Sequence, residues 1–332
     1  MQTLTHALLS LLTATTTALP SPFRQPKTTE LTPLPLVIWH GLGDSYQSDG
    51  IQEIAALAQQ TNPDTYIHTI HLADSSTTDR QASFLGNLTT HLDTVCAQLA
   101  NEPILSTAPA INALGFSQGG QFMRAYVEKC NNPPVQNLVT VGSQHNGISE
   151  FKECAWSDFV CKGAEAILHA GRWSSISQGQ IVPAQYFRDP EEIEAYLANS
   201  NFLANVNNEN AEKISTYADN LRELNRFAML MFRDDTIAHP KESAWFAEVN
   251  STSGEVTPLR ERTLYKEDWL GLRDLDEQGR LDFLTVPGDH MQLSDDVLVK
   301  TFVEYFGPVE VKVEVDFPDE RRVLVQQGGV HY

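Results

Sequence analysis

Six residues, Gly115-Phe116-Ser117-Gln118-Gly119-Gly120, carry the sharpest chemical signal in the chain. They match G-x-S-x-G, with an apolar run before them and helix-forming residues after. That is the context in which a serine is presented at a strand's end. A serine hydroxyl attacks an acyl carbon only when a base takes its proton. Glycines at both flanks let a tight turn form without Cβ clashes. A Gly-rich turn that only caps a helix would share the glycines but would need no distant partners. The chemistry calls for an acid and then a histidine downstream. Beyond residue 200 the histidines are His239, His290 and His331. His331 is one residue from the C-terminus, and His239 directly precedes Pro240. His290 follows the apolar run Leu281 to Val286 across Pro287-Gly288-Asp289, a loop after a late strand, and is the expected base. The orienting acid should end the preceding strand, where FAMLMF runs into Arg233-Asp234-Asp235-Thr236. Adjacent side chains diverge, so only one of Asp234 and Asp235 can face His290, and spacing alone leaves the two even. Asp289 adjoins the histidine and is poorly placed to orient it.

A second loop, His40-Gly41-Leu42-Gly43, follows the first strong apolar run. It resembles the loop that supplies an oxyanion donor beside a serine nucleophile. The backbone N–H groups of Leu42 and Gln118 would then hold the negative oxygen of a tetrahedral intermediate. An ordinary exit from a strand into a loop would carry the same glycines.

The elements that must position these groups are legible as an alternation. Leu36 to Trp39 is a short continuous apolar run, as in a strand buried on both faces. Residues 49 to 60 look helical, and Thr65 to Leu72 look like a strand. Residues 82 to 101 place Phe84, Leu85, Leu88, Leu92, Val95 and Leu99 at helical spacing. Ile111 to Phe116 predicts a strand, Gln121 to Lys129 a helix and Leu138 to Val141 a strand. This grammar specifies a mostly parallel sheet with helices on both faces. It lapses between about residues 145 and 225, a polar, largely helical stretch read as an insertion. The sheet resumes at Phe227 to Phe232 and at Leu281 to Val286. A last helix starts near Ser294, a good N-cap, with Asp295 and Asp296 favourable to the helix dipole.

The ends and the charge bound the setting. Residues 1–18 carry no Lys, Arg, Asp or Glu and read as a secretory signal peptide cleaved near Ala18. Four prolines make residues 19–34 a linker. Cys96, Cys130, Cys154 and Cys161 are an even count that suits two disulfides in an exported chain and allows three pairings. Sequons at Asn87 and Asn250 agree with that route and would lie on the surface if glycosylated. Lys and Arg number 23 against 43 Asp and Glu, a net charge of −20. That balance argues against nucleic acid, whose phosphates need cations, and against anionic membranes. No apolar run reaches the length of a membrane span.

These segments together resemble the lysosomal palmitoyl-protein thioesterase family of α/β-hydrolases. The matching stretches are PLVIWHGLGDS at 35–45, NALGFSQGGQFMRAYVEKC at 112–130 and NLVTVGSQHNG at 137–147. QYFRDPEEIEAYLANSNFLANVNNE at 185–209, DTIAHPKESAWF at 235–246, TLYKEDWLGLRDLDEQG at 263–279 and GDHMQLS at 288–294 complete the match. The resemblance covers about residues 35 to 307. It implies an α/β-hydrolase domain with Ser117, Asp235 and His290 as triad, choosing Asp235 over Asp234. It also implies oxyanion donation from Leu42 and Gln118, and an acyl groove formed largely by the insertion. The implied disulfides are Cys96–Cys130 and Cys154–Cys161. The implied activity is hydrolysis of long-chain acyl thioesters on S-palmitoylated proteins, in a lysosome or vacuole or outside the cell, with no metal or organic cofactor. A lipase acting on oxoesters, or a lipid carrier without catalysis, would be the competing functions. The segment 308–332 has no counterpart in the resemblance. Val309, Val311, Val313, Val315 and Phe317 alternate there with charged residues as in a half-buried strand.

Overall fold

A computed structural model describes residues 30–150, 171–313 and 323–325. The chain runs through β1 (Glu30–Thr32), β2 (Leu36–Trp39), α1 (Asp49–Thr61), β3 (Ile67–Thr69), α2 (Ser76–Ala82) and α3 (Leu88–Asn101). It continues with α4 (Pro103–Thr107), β4 (Ile111–Phe116), α5 (Gln118–Lys129) and β5 (Val135–Val141). In the insertion come α6 (Ser175–Gln180), α7 (Val182–Gln185), α8 (Ile193–Asn199), α9 (Leu203–Val206) and α10 (Ser215–Arg222). Then follow β6 (Arg226–Phe232), β7 (Glu248–Val249), β8 (Val256–Thr257), α11 (Thr263–Lys266), α12 (Leu272–Glu277), β9 (Leu281–Val286) and α13 (Asp295–Phe306). The last strands are β10 (Val309–Val313) and β11 (Val323–Val325).

Six strands form one sheet in the order β3-β2-β4-β5-β6-β9, all parallel. Alternation sorts their side chains into two cores. Val37, Trp39, Ala113, Leu138 and Phe227 face one side with α3 and α5 residues. Leu36, Ile38, Leu114, Val139 and Ala228 face the other with residues of α1 and α13. Each Val, Leu or Phe buried this way stabilises the fold by about 1.5–3 kcal/mol. A parallel sheet places all its carboxyl ends on one edge, and loops leaving that edge can meet.

Three expectations change. The single helix over 82–101 is broken: α2 stops at Ala82, Gly86 adopts φ +131°, and Asn87 caps α3 by accepting from the Thr90 N–H (3.1 Å). Phe84 and Leu85, at helical spacing in the sequence, lie in the link. Residues 30–32, inside the expected linker, form β1, which pairs antiparallel with β10 of the C-terminal segment, and β10 pairs with β11. The helix after Ser117 starts at once, at Gln118. Cys96 and Cys130 are disulfide-bonded across α3 and α5, with Cα atoms 6.0 Å apart. Cys154, Cys161, the signal segment 1–18 and His331 lie outside the described residues.

Buried charge fastens the insertion to the segment that leads into α11. Glu209 Oε1 lies 3.0 Å from Arg188 Nη2 and 3.1 Å from Arg262 Nη2, and Tyr196 donates its hydroxyl to Oε2 (2.5 Å). Burial alone would raise the Glu209 carboxyl, but the two guanidiniums outweigh it and hold it below its ordinary value. Removing one partner of such a cluster leaves an uncompensated charge, which costs about 3–5 kcal/mol.

Candidate active site

Three strands of the sheet each deliver one group to its carboxyl edge: β4 leads into Ser117 and, beyond β5, the adjacent pair β6 and β9 lead into Asp235 and His290. Ser117 itself takes φ +52° and ψ −125°, a strained conformation for a residue with a side chain. The glycines around it are required by approach. A Cβ on Gly119 would sit 2.4 Å from the carbonyl oxygens of both Trp39 and His40, and one on Gly115 would sit 2.3 Å from the Gly120 Cα. The start of α5 therefore packs directly on the ends of β2 and β4, which turns the serine side chain outward.

His290 Nε2 is 3.0 Å from Ser117 Oγ, and His290 Nδ1 is 2.7 Å from Asp235 Oδ2. The imidazole is 9% exposed and the Asp235 carboxylate 2%, so the relay is nearly dry. Asp235 Oδ1 accepts from the N–H groups of Ile237 and Ala238, both at 2.9 Å. Those two bonds choose between the acids: they turn Asp235 inward, while Asp234 is exposed. Asp289 accepts instead from the N–H groups of Thr236 (2.8 Å) and His290 (2.7 Å), tying the histidine loop to the acid loop. His239 is exposed and 3.9 Å from Glu150.

The loop after β2 lies against the serine, since a Cβ on Gly41 would be 3.2 Å from Ser117 Cβ. Leu42 is exposed and lines the same cavity as Ser117. Gln118 opens α5, and its buried side chain donates through Nε2 to the Ser83 carbonyl (3.1 Å) and accepts from the Tyr186 hydroxyl (3.1 Å).

Ser117 and His290 open into a cavity of about 830 Å3. The insertion contributes Ile148, Pro183 and Tyr186 to its wall. A further stretch of wall comes from Ile51, Ile54 and Leu57 on α1, which the sequence offered only as an ordinary helix. Residues of α2, also without signal in the sequence, hold the His40 loop. Among the described residues no three His, Cys, Asp or Glu side chains cluster to hold a metal, and no helix is long and apolar enough to cross a membrane. The sequon residues Asn87 and Asn250 are partly exposed, each with its Oδ1 accepting from a following main-chain N–H.

Residues 35–290 match the family model described as palmitoyl protein thioesterase. The chain is 36% identical over 275 residues to palmitoyl-protein thioesterase 1 of Caenorhabditis elegans, spanning 82% of this chain and 91% of that relative. It is 32% identical over 259 residues to palmitoyl-protein thioesterase 3 of Dictyostelium discoideum, spanning 77% and 84% respectively. A solved thioesterase from the prodiginine biosynthetic pathway of Streptomyces coelicolor is 13% identical, with a TM-score of 0.42 over 86% of this chain and 97% of that one.

Proposed function

The chain belongs to the palmitoyl protein thioesterase family, and from that premise we propose that it hydrolyses long-chain fatty acyl thioesters on cysteines of S-acylated proteins. Ser117 is the nucleophile, His290 the base and Asp235 the acid that orients it. The observation that carries the reading is the Ser117–His290–Asp235 chain at 3.0 and 2.7 Å, opening into a cavity whose wall is mostly apolar. Its volume of about 830 Å3 suits a ligand of substantial size, since such sites run to about 300–1,000 Å3.

His290 Nε2 takes the Ser117 proton as Oγ attacks the acyl carbon. The oxygen of the tetrahedral intermediate accepts from the main-chain N–H groups of Leu42 and Gln118. The C–S bond then breaks, and the cysteine sulfur leaves with a proton from His290. A thiol with a reference pKa of about 8.5 needs less help to leave than an amine does. Water, deprotonated by His290, cleaves the acyl-serine and frees the fatty acid. Asp235 keeps the imidazole in the tautomer that presents a lone pair to Ser117.

Residues 1–18 serve as the signal for entry into the secretory pathway, toward a lysosome or vacuole or the cell exterior. The second disulfide joins Cys154 and Cys161, and Asn87 and Asn250 are the glycosylation sites. The deciding experiment compares a palmitoyl-cysteine peptide with a matched palmitoyl oxoester, using wild type and Ser117→Ala. Thioester turnover that disappears in Ser117→Ala is expected. Turnover of the oxoester alone would reassign the chain as a lipase, and acyl binding without Ser117-dependent turnover would make it a carrier.

A further inference from the structure

The loop that carries Leu42 is gripped from one place, the end of α2. Asp79 is fully buried, and its Oδ2 lies 3.0 Å from His40 Nε2 and accepts from the Tyr46 N–H at 3.0 Å. Its Oδ1 accepts from the Leu72 N–H at 2.7 Å. Burial alone would raise the Asp79 carboxyl, but His40 and the two N–H groups more than offset it and hold it below its ordinary value. The next residue, Arg80, donates through Nε to the Gly43 carbonyl (2.8 Å), and one turn on from Asp79 the Ser83 Oγ accepts from the Gly43 N–H (2.8 Å). The loop is therefore fixed at His40, Gly43 and Tyr46, on both sides of Leu42, which is itself exposed. Gly43, at φ +76°, adds no stiffness of its own.

Ser83 makes the second connection. It is 2% exposed, and its hydroxyl donates to the Arg80 carbonyl (2.7 Å) while accepting from Gly43. Its own carbonyl accepts from Gln118 Nε2 (3.1 Å). One buried serine thus bonds to both segments that carry the proposed donors: to Gly43, next to Leu42, through its hydroxyl and to the Gln118 side chain through its carbonyl. We propose that Ser83 is a positioning residue that sets the spacing of the two oxyanion donors, with Asp79 pinning the remaining anchor points of the Leu42 loop. The physical reason is that oxyanion stabilisation acts through preorganised donors, and a donor displaced by a fraction of an ångström loses most of its advantage. The inference rests on the reading of Leu42 and Gln118 as donors to an acyl-serine intermediate.

Ser83→Ala and Gln118→Met are the test, with Tyr186→Phe as control, because the second keeps the main-chain N–H and removes the tether to Ser83 together with the bond from the Tyr186 hydroxyl, which the control removes alone. Each of the two test variants is expected to lower kcat for a palmitoyl peptide by about tenfold or more, a part of the 10²–10³ lost when a donor is removed outright. KM should stay within about twofold, since ground-state binding is untouched. The rate at which a fluorophosphonate labels Ser117 should fall in step with kcat, whereas affinity for a non-hydrolysable palmitoyl thioether should not move. A purely structural role would shift the unfolding midpoint and the active fraction instead, leaving kcat per labelled site unchanged, and that result overturns the proposal. So does wild-type kcat in both folded variants. If Ser83→Ala does not fold, Gln118→Met decides. Failure of the thioesterase reading is seen separately: Ser117→Ala would keep its activity, or only the oxoester would turn over. In the latter case the Ser83 comparison is made on the oxoester.

Discussion

Replacing Asp235 by asparagine should disable the site without disturbing the fold, and the hydrogen bonds say why. Asp235 Oδ1 accepts two main-chain N–H groups, from Ile237 and Ala238 at 2.9 Å. An amide at this position has one oxygen, and only that oxygen can stay with the two donors. Its NH2 group must then face His290 Nδ1, where Oδ2 now sits at 2.7 Å. An NH2 group donates, so Nδ1 must offer a lone pair and the ring proton moves to Nε2. Nε2 is the atom 3.0 Å from Ser117 Oγ. With a proton there it donates to the serine instead of taking the serine's proton. A wrong tautomer of this kind lowers kcat about 10⁴-fold, equivalent to about 5.5 kcal/mol of transition-state stabilisation. The assay is steady-state hydrolysis of a palmitoyl-cysteine peptide, with circular dichroism and thermal unfolding showing that both proteins are folded. Asp234→Asn is the matched control and should stay near wild type, because that side chain is exposed. Asp234→Asn losing more activity than Asp235→Asn would refute the reasoning, as would an Asp235→Asn enzyme within about tenfold of wild type.

Gly119→Ala should destabilise the fold by about 3 kcal/mol or more, since the new methyl meets two main-chain carbonyls at 2.4 Å that cannot rotate away; a wild-type denaturant midpoint would contradict this. Cys96→Ser with Cys130→Ser opens a loop of sequence separation 34, and chain entropy puts the loss near 4 kcal/mol. A shift of under about 1 kcal/mol in chemical unfolding would show that the cross-link contributes by another route. Stability should also carry two opposed pH slopes. Burial pushes the Glu128 carboxyl up to about 7 from its ordinary 4.5, against the pull of Arg124. Its contribution is full below 4.5 and is lost as pH rises through 7. Burial, then the Arg124 charge, holds His145 well below 6.5, so its contribution is present above 6.5 and is lost as pH falls. Glu128→Gln removes the first slope alone, so its unfolding free energy should fall toward acid more steeply than that of the wild type; parallel curves between pH 4.5 and 7 would count against the assignment.

How much of this was legible in the sequence depends on how local the cause is. The bounds of β4 coincide with the run Ile111 to Phe116, because a strand buried between neighbours is a nearly continuous apolar run, and those of the edge strand β9 coincide with Leu281 to Val286, which Pro287 ends. The bend before α3 was written locally too, in Gly86 and the capping Asn87, but the apolar period through Phe84, Leu85 and Leu88 masked it. The choice between Asp234 and Asp235 has no signature in spacing. It is made by two N–H groups of the turn that follows, which become visible only when the turn is built.

The α2 segment marks the limit of such reading. DSSTTDRQAS at 74–83 is almost wholly polar and has no apolar period, yet Asp79 is fully buried and Ser83 nearly so. Their burial is possible because nearby partners, Leu72 for Asp79 and Arg80 for Ser83, are completed by partners far along the chain: His40 and Tyr46 for Asp79, Gly43 and Gln118 for Ser83. Such partners lie 33 to 40 residues away, beyond any periodicity a helix or strand imposes. A polar residue can be driven inside only when its hydrogen bonds are replaced there. A buried polar group is therefore specified jointly by segments that are silent about each other until the sheet aligns them. The residues that hold an active site in shape are of this kind more often than the residues that react. Nucleophile, base and acid must stand at strand ends, where sequence pattern is strong, while their supports need only be within reach in space.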